Sequence, residues 1–154
     1  MAEILNFKKE FVERTMDIID NCSHATDYEV TLLLNCLLGL VTLPIENEKN
    51  NDTNESQIFK DICVNKLDEL SSSFKVKDGE EKNIFRNIRN AIAHLNIKIE
   101  NSPYKNKIDS VTLINYKDKT ITLEFTIKVD KLKEFAKFVA NEYINRVFIR
   151  SKVL

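Results

Sequence analysis

Hydrophobic and polar positions along this chain fall mostly into the 3.6-residue period of amphipathic helices. Residues 3–22 place Phe7, Phe11, Thr15, Ile18, Ile19 and Cys22 at helical spacing and predict a first helix. Thr26-Asp27-Tyr28-Glu29 has the form of a capping box and predicts a second helix ending near Pro44. Nearly all of that helix is apolar, so it is expected at the centre of the fold, with Asn35 as a hydrogen-bonded core residue. Gly39 in its middle costs about 1 kcal/mol of helix propensity against alanine, which suits a point where another helix crosses closely. Glu46–Ser56 is polar throughout and reads as a flexible loop. A third helix is expected at Gln57–Ser71, with Ile58, Ile62, Leu67 and Leu70 facing inward.

A second loop, Ser71–Gly79, leads to the clearest amphipathic stretch, Lys82–Asn96, KNIFRNIRNAIAHLN. Asp78 and Glu81 form a D-x-x-E start signal for it. At 100° per residue, Ile84, Phe85, Ile88, Ala91, Ile92 and Leu95 share one face. Asn83, Arg86, Asn87, Arg89, Asn90 and His94 share the other, with Ala93 in its middle. Pro103 marks the end of helical propensity. The period then changes to two. Val111 and Leu113, then Ile121, Leu123, Phe125 and Ile127, alternate with threonines and charges around the turn Tyr116–Thr120, which predicts a β-hairpin over Ile108–Val129. Asp130 caps a last helix reaching about Arg150, with Leu132, Phe135, Val139, Tyr143, Ile144 and Val147 inward. The pattern therefore predicts a mainly α fold. It is an up-and-down antiparallel helical bundle of about five helices, with one β-hairpin before the C-terminal helix, in a single domain over residues 1–154.

Composition narrows the class. The 154 residues are 43% hydrophobic and 31% charged, with only two Gly and two Pro. That is a soluble globular balance and argues against a many-turned β fold. Cys22, Cys36 and Cys63 match no metal spacing and read as buried, reduced thiols of a cytosolic protein. The N-terminus lacks a signal peptide's apolar core, and the longest apolar run, Leu32–Ile45, is too short to span a bilayer. No membrane partner is expected, and the expected location is cytoplasmic.

Charge adds an asymmetry that the net value of −1 conceals. Residues 1–70 carry 6 Lys/Arg against 14 Asp/Glu, whereas residues 71–154 carry 17 against 10. The Lys82–Asn96 helix thus lies in the basic half, where a phosphate-bearing partner is favoured.

On that helix, Arg86, Asn90 and His94 form an i, i+4, i+8 row, with Arg89 one turn from Arg86. An R-x-x-x-x-H match arises by chance in roughly a third of chains of this length, but R-N-x-x-x-H in only about 2%. Arg89-Asn90-Ala91-Ile92-Ala93-His94 fits the stricter form. Histidine titrates near neutrality and serves as acid or base. Arginine's donor fork matches phosphate geometry. Asn90 is placed to orient the imidazole or bind a phosphate oxygen. His24, in a polar turn, is assigned no role. The polar face carries no carboxylate beyond its capping turn, which disfavours two-metal chemistry. No metal and no cofactor is expected. There is also no nucleophile elbow and no glycine-rich phosphate loop.

The Arg89-Asn90-x-x-x-His94 motif, late on an amphipathic helix of a small helical chain, resembles the HEPN superfamily. Leu32–Glu46, LLLNCLLGLVTLPIE, is similar to the second helix of small stand-alone bacterial HEPN proteins. The resemblance implies a helical bundle, usually dimeric, and often a metal-independent endoribonuclease of toxin or phage-defence systems. It implies Arg89 and His94 as catalytic and Asn90 as the supporting polar residue. Arg86 and Asn87 are further candidates for RNA contact. RNA, a second copy of the chain and a possible antitoxin or other regulatory protein are the expected partners. HEPN members also include non-catalytic modules that bind RNA, nucleotide or a partner protein. Cleavage by 2′-OH attack needs both an acid and a base, and His94 is the only credible one here. A two-fold axis near Ala93 would supply a second His94 and a second Arg89.

Overall fold

In chain order the elements are α1 (Ala2–Asn21), α2 (Glu29–Glu48), α3 (Asn54–Leu70), β1 (Ser73–Val76), α4 (Ile84–Ala93), β2 (Ile97–Asn101), β3 (Ile108–Lys117), β4 (Thr120–Lys128) and α5 (Val129–Glu142). A short 3₁₀ turn, Glu81–Asn83, precedes α4, and a π-helical turn, Tyr143–Phe148, extends α5. The structure is a computed structural model and describes residues 2–21, 29–48, 54–101 and 108–148. The Thr26–Tyr28 part of the capping box, His24, Cys22 and Pro103 lie outside the described residues.

The period-two segment forms the expected hairpin. β3 and β4 pair antiparallel from Ser110↔Lys128 to Lys117↔Thr120. Asp118 and Lys119 turn the corner with φ of 52° and 67°, the left-handed pair that lets a two-residue turn match the twist of its strands. The hairpin is not alone, however. β1 pairs with β4 and β2 pairs with β3, giving a four-stranded antiparallel sheet in the order β1-β4-β3-β2. The fold is therefore five helices with a full sheet, and the bundle-plus-hairpin expectation is corrected. The physical reason is that a two-stranded hairpin is marginal in water and gains stability by adding strands and a packed face. β1 occupies what reads as loop, and β2 begins where α4 has only just ended.

One face of the sheet is apolar. Val111, Leu113, Leu123, Phe125 and Ile127 are fully buried, each worth roughly 1.5–3 kcal/mol of transfer free energy. Against them pack the inner faces of α4 and α5, with α2 lying across both helices. Leu33, Leu37 and Leu40 give α2 its buried stripe. Phe59 of α3 meets Phe85 of α4 edge-on at 5.8 Å and Tyr143 at 6.2 Å. Gly39 lies where a Cβ would stand 2.9 Å from Phe11 Cζ, so the close crossing is made by α1.

Several local readings shift. α2 continues through Pro44 to Glu48. A proline removes one helical hydrogen bond, yet the helix runs on past it. Asn35 is exposed rather than a core residue. Thr15 and Ile19 are inward in α1 as expected, but Val12 joins them while Phe11 and Ile18 turn toward solvent. In α3 the inward line is Phe59, Cys63 and Leu67, with Ile58 exposed. The loop before α3 is shorter than Glu46–Ser56, because helix enters it from both ends. Asp130 lies in the first turn of α5, and the N-cap position is Lys128, which makes no side-chain cap bond.

Cys36 and Cys63 are both buried. Burial, with Glu142 adding to it and Arg146 opposing, pushes the Cys63 thiol far above its ordinary range.

Candidate functional site

The helix that carries the motif is positioned from both ends. At its start, Gly79 takes a φ of 90°, a conformation few side chains tolerate. Its N–H donates to Glu81 Oε2 at 2.9 Å. The expected Asp78/Glu81 cap is thus a tight turn followed by one 3₁₀ turn. α4 itself opens at Ile84, with no side-chain cap bond from Asn83.

At its end, the Asn96 N–H bonds the Ala91 carbonyl at 2.9 Å and the Leu95 N–H bonds the Ile92 carbonyl at 3.1 Å. Those two bonds define a Schellman closure. Its left-handed position is filled by Leu95, with φ of 55°, where glycine is the usual occupant. Leu95 was expected inward, yet it is 78% exposed. The closure reverses the chain one residue before the helical stripe would have reached it. Asn96 then accepts from the Ile114 N–H at 3.0 Å, which starts the run of β2 alongside β3.

Ile84, Phe85, Ile88, Ala91 and Ile92 are buried as their spacing predicts. So is Asn87, which is only 5% exposed and was expected on the solvent face. Its Oδ1 accepts from Asn115 Nδ2 at 3.1 Å, and its own Nδ2 donates to Glu80 Oε2 at 3.4 Å. Asn115 Nδ2 also donates to Thr122 Oγ1 at 2.8 Å. Buried polar groups are tolerated when bonded in this way. Asn87 therefore ties α4 to the sheet and leaves the exposed row. Nothing in a single-sequence pattern marks such a position, because its partner on the sheet, Asn115, lies far along the chain.

The remaining motif residues stay outside. Arg86, Ala93 and His94 are exposed, and Arg89 and Asn90 are half-buried. Arg89 donates to Asn90 Oδ1 from both Nε, at 3.4 Å, and Nη2, at 3.3 Å. Asn90 thus fixes the guanidinium rather than the imidazole. His94 is the C-cap residue; its N–H gives the last helical bond, to the Asn90 carbonyl, at 2.9 Å. Among the described residues its ring makes no hydrogen bond. The C-terminal end of a helix is its negative pole and disfavours an anion. Arg89 and Arg86 supply the opposing positive charge, and the Schellman bonds occupy two of the free carbonyls.

Sequence reasoning missed one cation beside this row. Lys60 of α3 is only 6% exposed. Burial and the Arg86 charge, in that order, hold its ammonium below the ordinary lysine range, against a smaller opposing effect of Asp61. A lysine within an apolar helical pattern reads as an interruption, so its proximity to α4 was not legible. Among the described residues no group of three or more His, Cys, Asp or Glu side chains converges as a metal site. No described helix is long and apolar enough to cross a membrane.

A half-buried arginine–asparagine pair and an exposed histidine thus stand at the end of a helix whose other face is buried. The family model described as HEPN pEK499 p136 matches residues 1–150, and the chain belongs to that family. No curated protein and no solved structure matches the chain.

Proposed function

We propose that this HEPN protein is a metal-independent endoribonuclease. The observation that carries the reading is the Arg89 guanidinium braced on Asn90 one helical turn before the solvent-facing His94. In the reaction, a base takes the 2′-OH proton and the 2′ oxygen attacks phosphorus. The bond to the 5′ oxygen then breaks, and an acid protonates that leaving oxygen. Arg89 is assigned to the charged phosphorane, which its donor fork fits. His94 is assigned to proton transfer. The need for a 2′-OH makes the substrate RNA and not DNA.

One histidine serves one end of the reaction at a time. A homodimer with its two-fold axis near Ala93 would bring a second His94 and Arg89 into one cleft. Ala93 is exposed and small, and Leu95, Ile99, Tyr116 and Ile121 are exposed apolar residues on the same part of the chain. Such a pair needs about 1,000 Å² of buried surface or more. A toxin or phage-defence role follows from the same chemistry, with an antitoxin or other regulator as partner. It predicts growth arrest on expression that His94→Ala relieves. The direct test of the activity is cleavage of labelled RNA by the purified protein, compared with Arg89→Ala and His94→Ala.

A second reading is a non-catalytic module that binds RNA, nucleotide or a partner protein. That no described residue hydrogen-bonds the His94 ring favours it, since catalytic imidazoles are commonly oriented by a second group. Saturable RNA binding that survives His94→Ala, with no cleavage, selects this reading.

A further inference from the structure

Among the described residues β2 is an edge of the sheet, with β3 on one side and no strand on the other. The Asn96 carbonyl accepts from the Ile114 N–H and so turns toward β3. Successive residues of an antiparallel strand address its two sides in turn. Lys98 and Glu100 therefore turn their backbone groups to β3, while Ile97 and Ile99 turn theirs to the open edge. Side chains alternate between the two faces. Ile99 pairs with the fully buried Val111 and shares its core-facing side, yet Ile99 is 52% exposed. Lys98 and Glu100 pair with Thr112 and Ser110 on the opposite face, and both are exposed. The Glu100 carboxylate accepts from Ser110 Oγ at 3.5 Å, a long bond.

An open edge is a template for another strand unless something blocks it, and a lysine is a common block. Here the lysine stands two residues before a glutamate, and the pair is its own complement. A second copy laid antiparallel, with the two Ile99 facing, sets Lys98 against the partner's Glu100 and Glu100 against the partner's Lys98. The backbone favours the same alignment. An axis at Lys98 or Glu100 would set like charges face to face and leave the backbone groups turned away. With the axis at Ile99, its N–H and C=O exchange two bonds with their copies across about 5.5 Å between Cα atoms.

We propose that β2 is a self-pairing edge, through which two copies of this chain join their four-stranded sheets into one about an axis at Ile99. This goes beyond the reading above, since it uses neither Arg89 nor His94. It is also distinct from an axis at Ala93. Each β2 begins shortly after its own His94, so the antiparallel pair holds the two histidines at opposite ends.

Sedimentation equilibrium at low salt tests the pairing. Wild type should dimerise, and Lys98→Glu and Glu100→Lys should each weaken the dimer about tenfold or more, because two facing attractions become two repulsions. An equimolar mixture of the two variants should dimerise again, since every facing pair is then acid against base. Lys98→Glu/Glu100→Lys in one chain should do so alone. Both positions are exposed, and circular dichroism should show every variant folded. Ile99→Cys should yield a covalent dimer under a mild oxidant, because facing Cα atoms about 5.5 Å apart suit a disulfide. Wild type, with its own three cysteines, is the control. A dimer indifferent to both charge reversals would overturn the strand pairing and leave an axis at Ala93 in place. A mixture as dissociated as its components would overturn it as well. A wild type monomeric at its highest soluble concentration would overturn the pairing and the dimeric site together, with cleavage by one chain untouched.

Discussion

Asn115 Nδ2 on β3 donates to Asn87 Oδ1 on α4 at 3.1 Å, and this buried bond joins the sheet to the helix that carries Arg89 and His94. Both residues are 5% exposed. Removing one partner strands the other, which costs about 1–3 kcal/mol. Asn87→Ala should therefore lower Tm by roughly 2–4 °C for each kcal/mol lost. Asn87→Leu/Asn115→Leu should cost less than the two single changes added, because no orphaned amide remains. Thermal melts of the four proteins measure the coupling, and full additivity would show the bond to be incidental.

Leu95 tests the helix end. Its left-handed conformation carries about 1 kcal/mol of strain or more, and its side chain is 78% exposed, so little packing is lost on removal. Leu95→Gly should raise Tm by a few degrees, about 2–4 °C per kcal/mol relieved. A fall in Tm would mean that the leucine is covered, and a simultaneous drop in molecular mass would show that a second copy covers it.

These two residues also show which parts of the fold the sequence discloses. The apolar stripe Ile84–Ile92 and the alternation of Leu123–Ile127 reflect local periodicity, and both formed as expected, whereas Ile121 beyond the register shift is exposed. β1 and β2 have four and five residues, too few for a period to register beside two longer helices. Their strand identity comes from pairing with β4 and β3. Asn87 and Lys60 are polar residues on buried positions, and the partner of Asn87 on the sheet, Asn115, is distant in sequence. Arg89, Asn90 and His94 were singled out as candidates because their spacing is local, and they fall together at the C-terminal end of α4. The bracing of Arg89 by Asn90, in place of His94, required side-chain geometry.

Lys60 predicts an alkaline signature. Its folded-state pKa lies below the ordinary lysine value of 10.5, so the unfolded chain binds more protons between those two values. Stability contributed by this group therefore rises with pH across that window and is flat below it. Urea melts at a series of pH values should show the rise in wild type and its loss in Lys60→Met. Identical slopes in the two proteins would place the lysine in water.

Assembly is tested at Ala93. If the two motif helices face one another, Ala93→Trp should wedge the cleft, lowering RNA cleavage tenfold or more, about 1.4 kcal/mol or more of lost transition-state stabilisation. Far-ultraviolet circular dichroism should be unchanged, because the residue is exposed. Light scattering should report twice the 17.9 kDa chain mass for wild type. A monomer at micromolar concentration, or full activity in Ala93→Trp, would leave Arg89 and His94 of one chain to act alone.

Cleavage of end-labelled RNA in the presence of excess chelator separates metal-independent chemistry at His94 from every alternative. Products should end in a 2′,3′-cyclic phosphate and form at a rate unaffected by chelator. His94→Ala should lose about 100-fold or more in rate, the scale of one general acid–base group. Cleavage that chelator abolishes, or that His94→Ala performs at the wild-type rate, would contradict that chemistry.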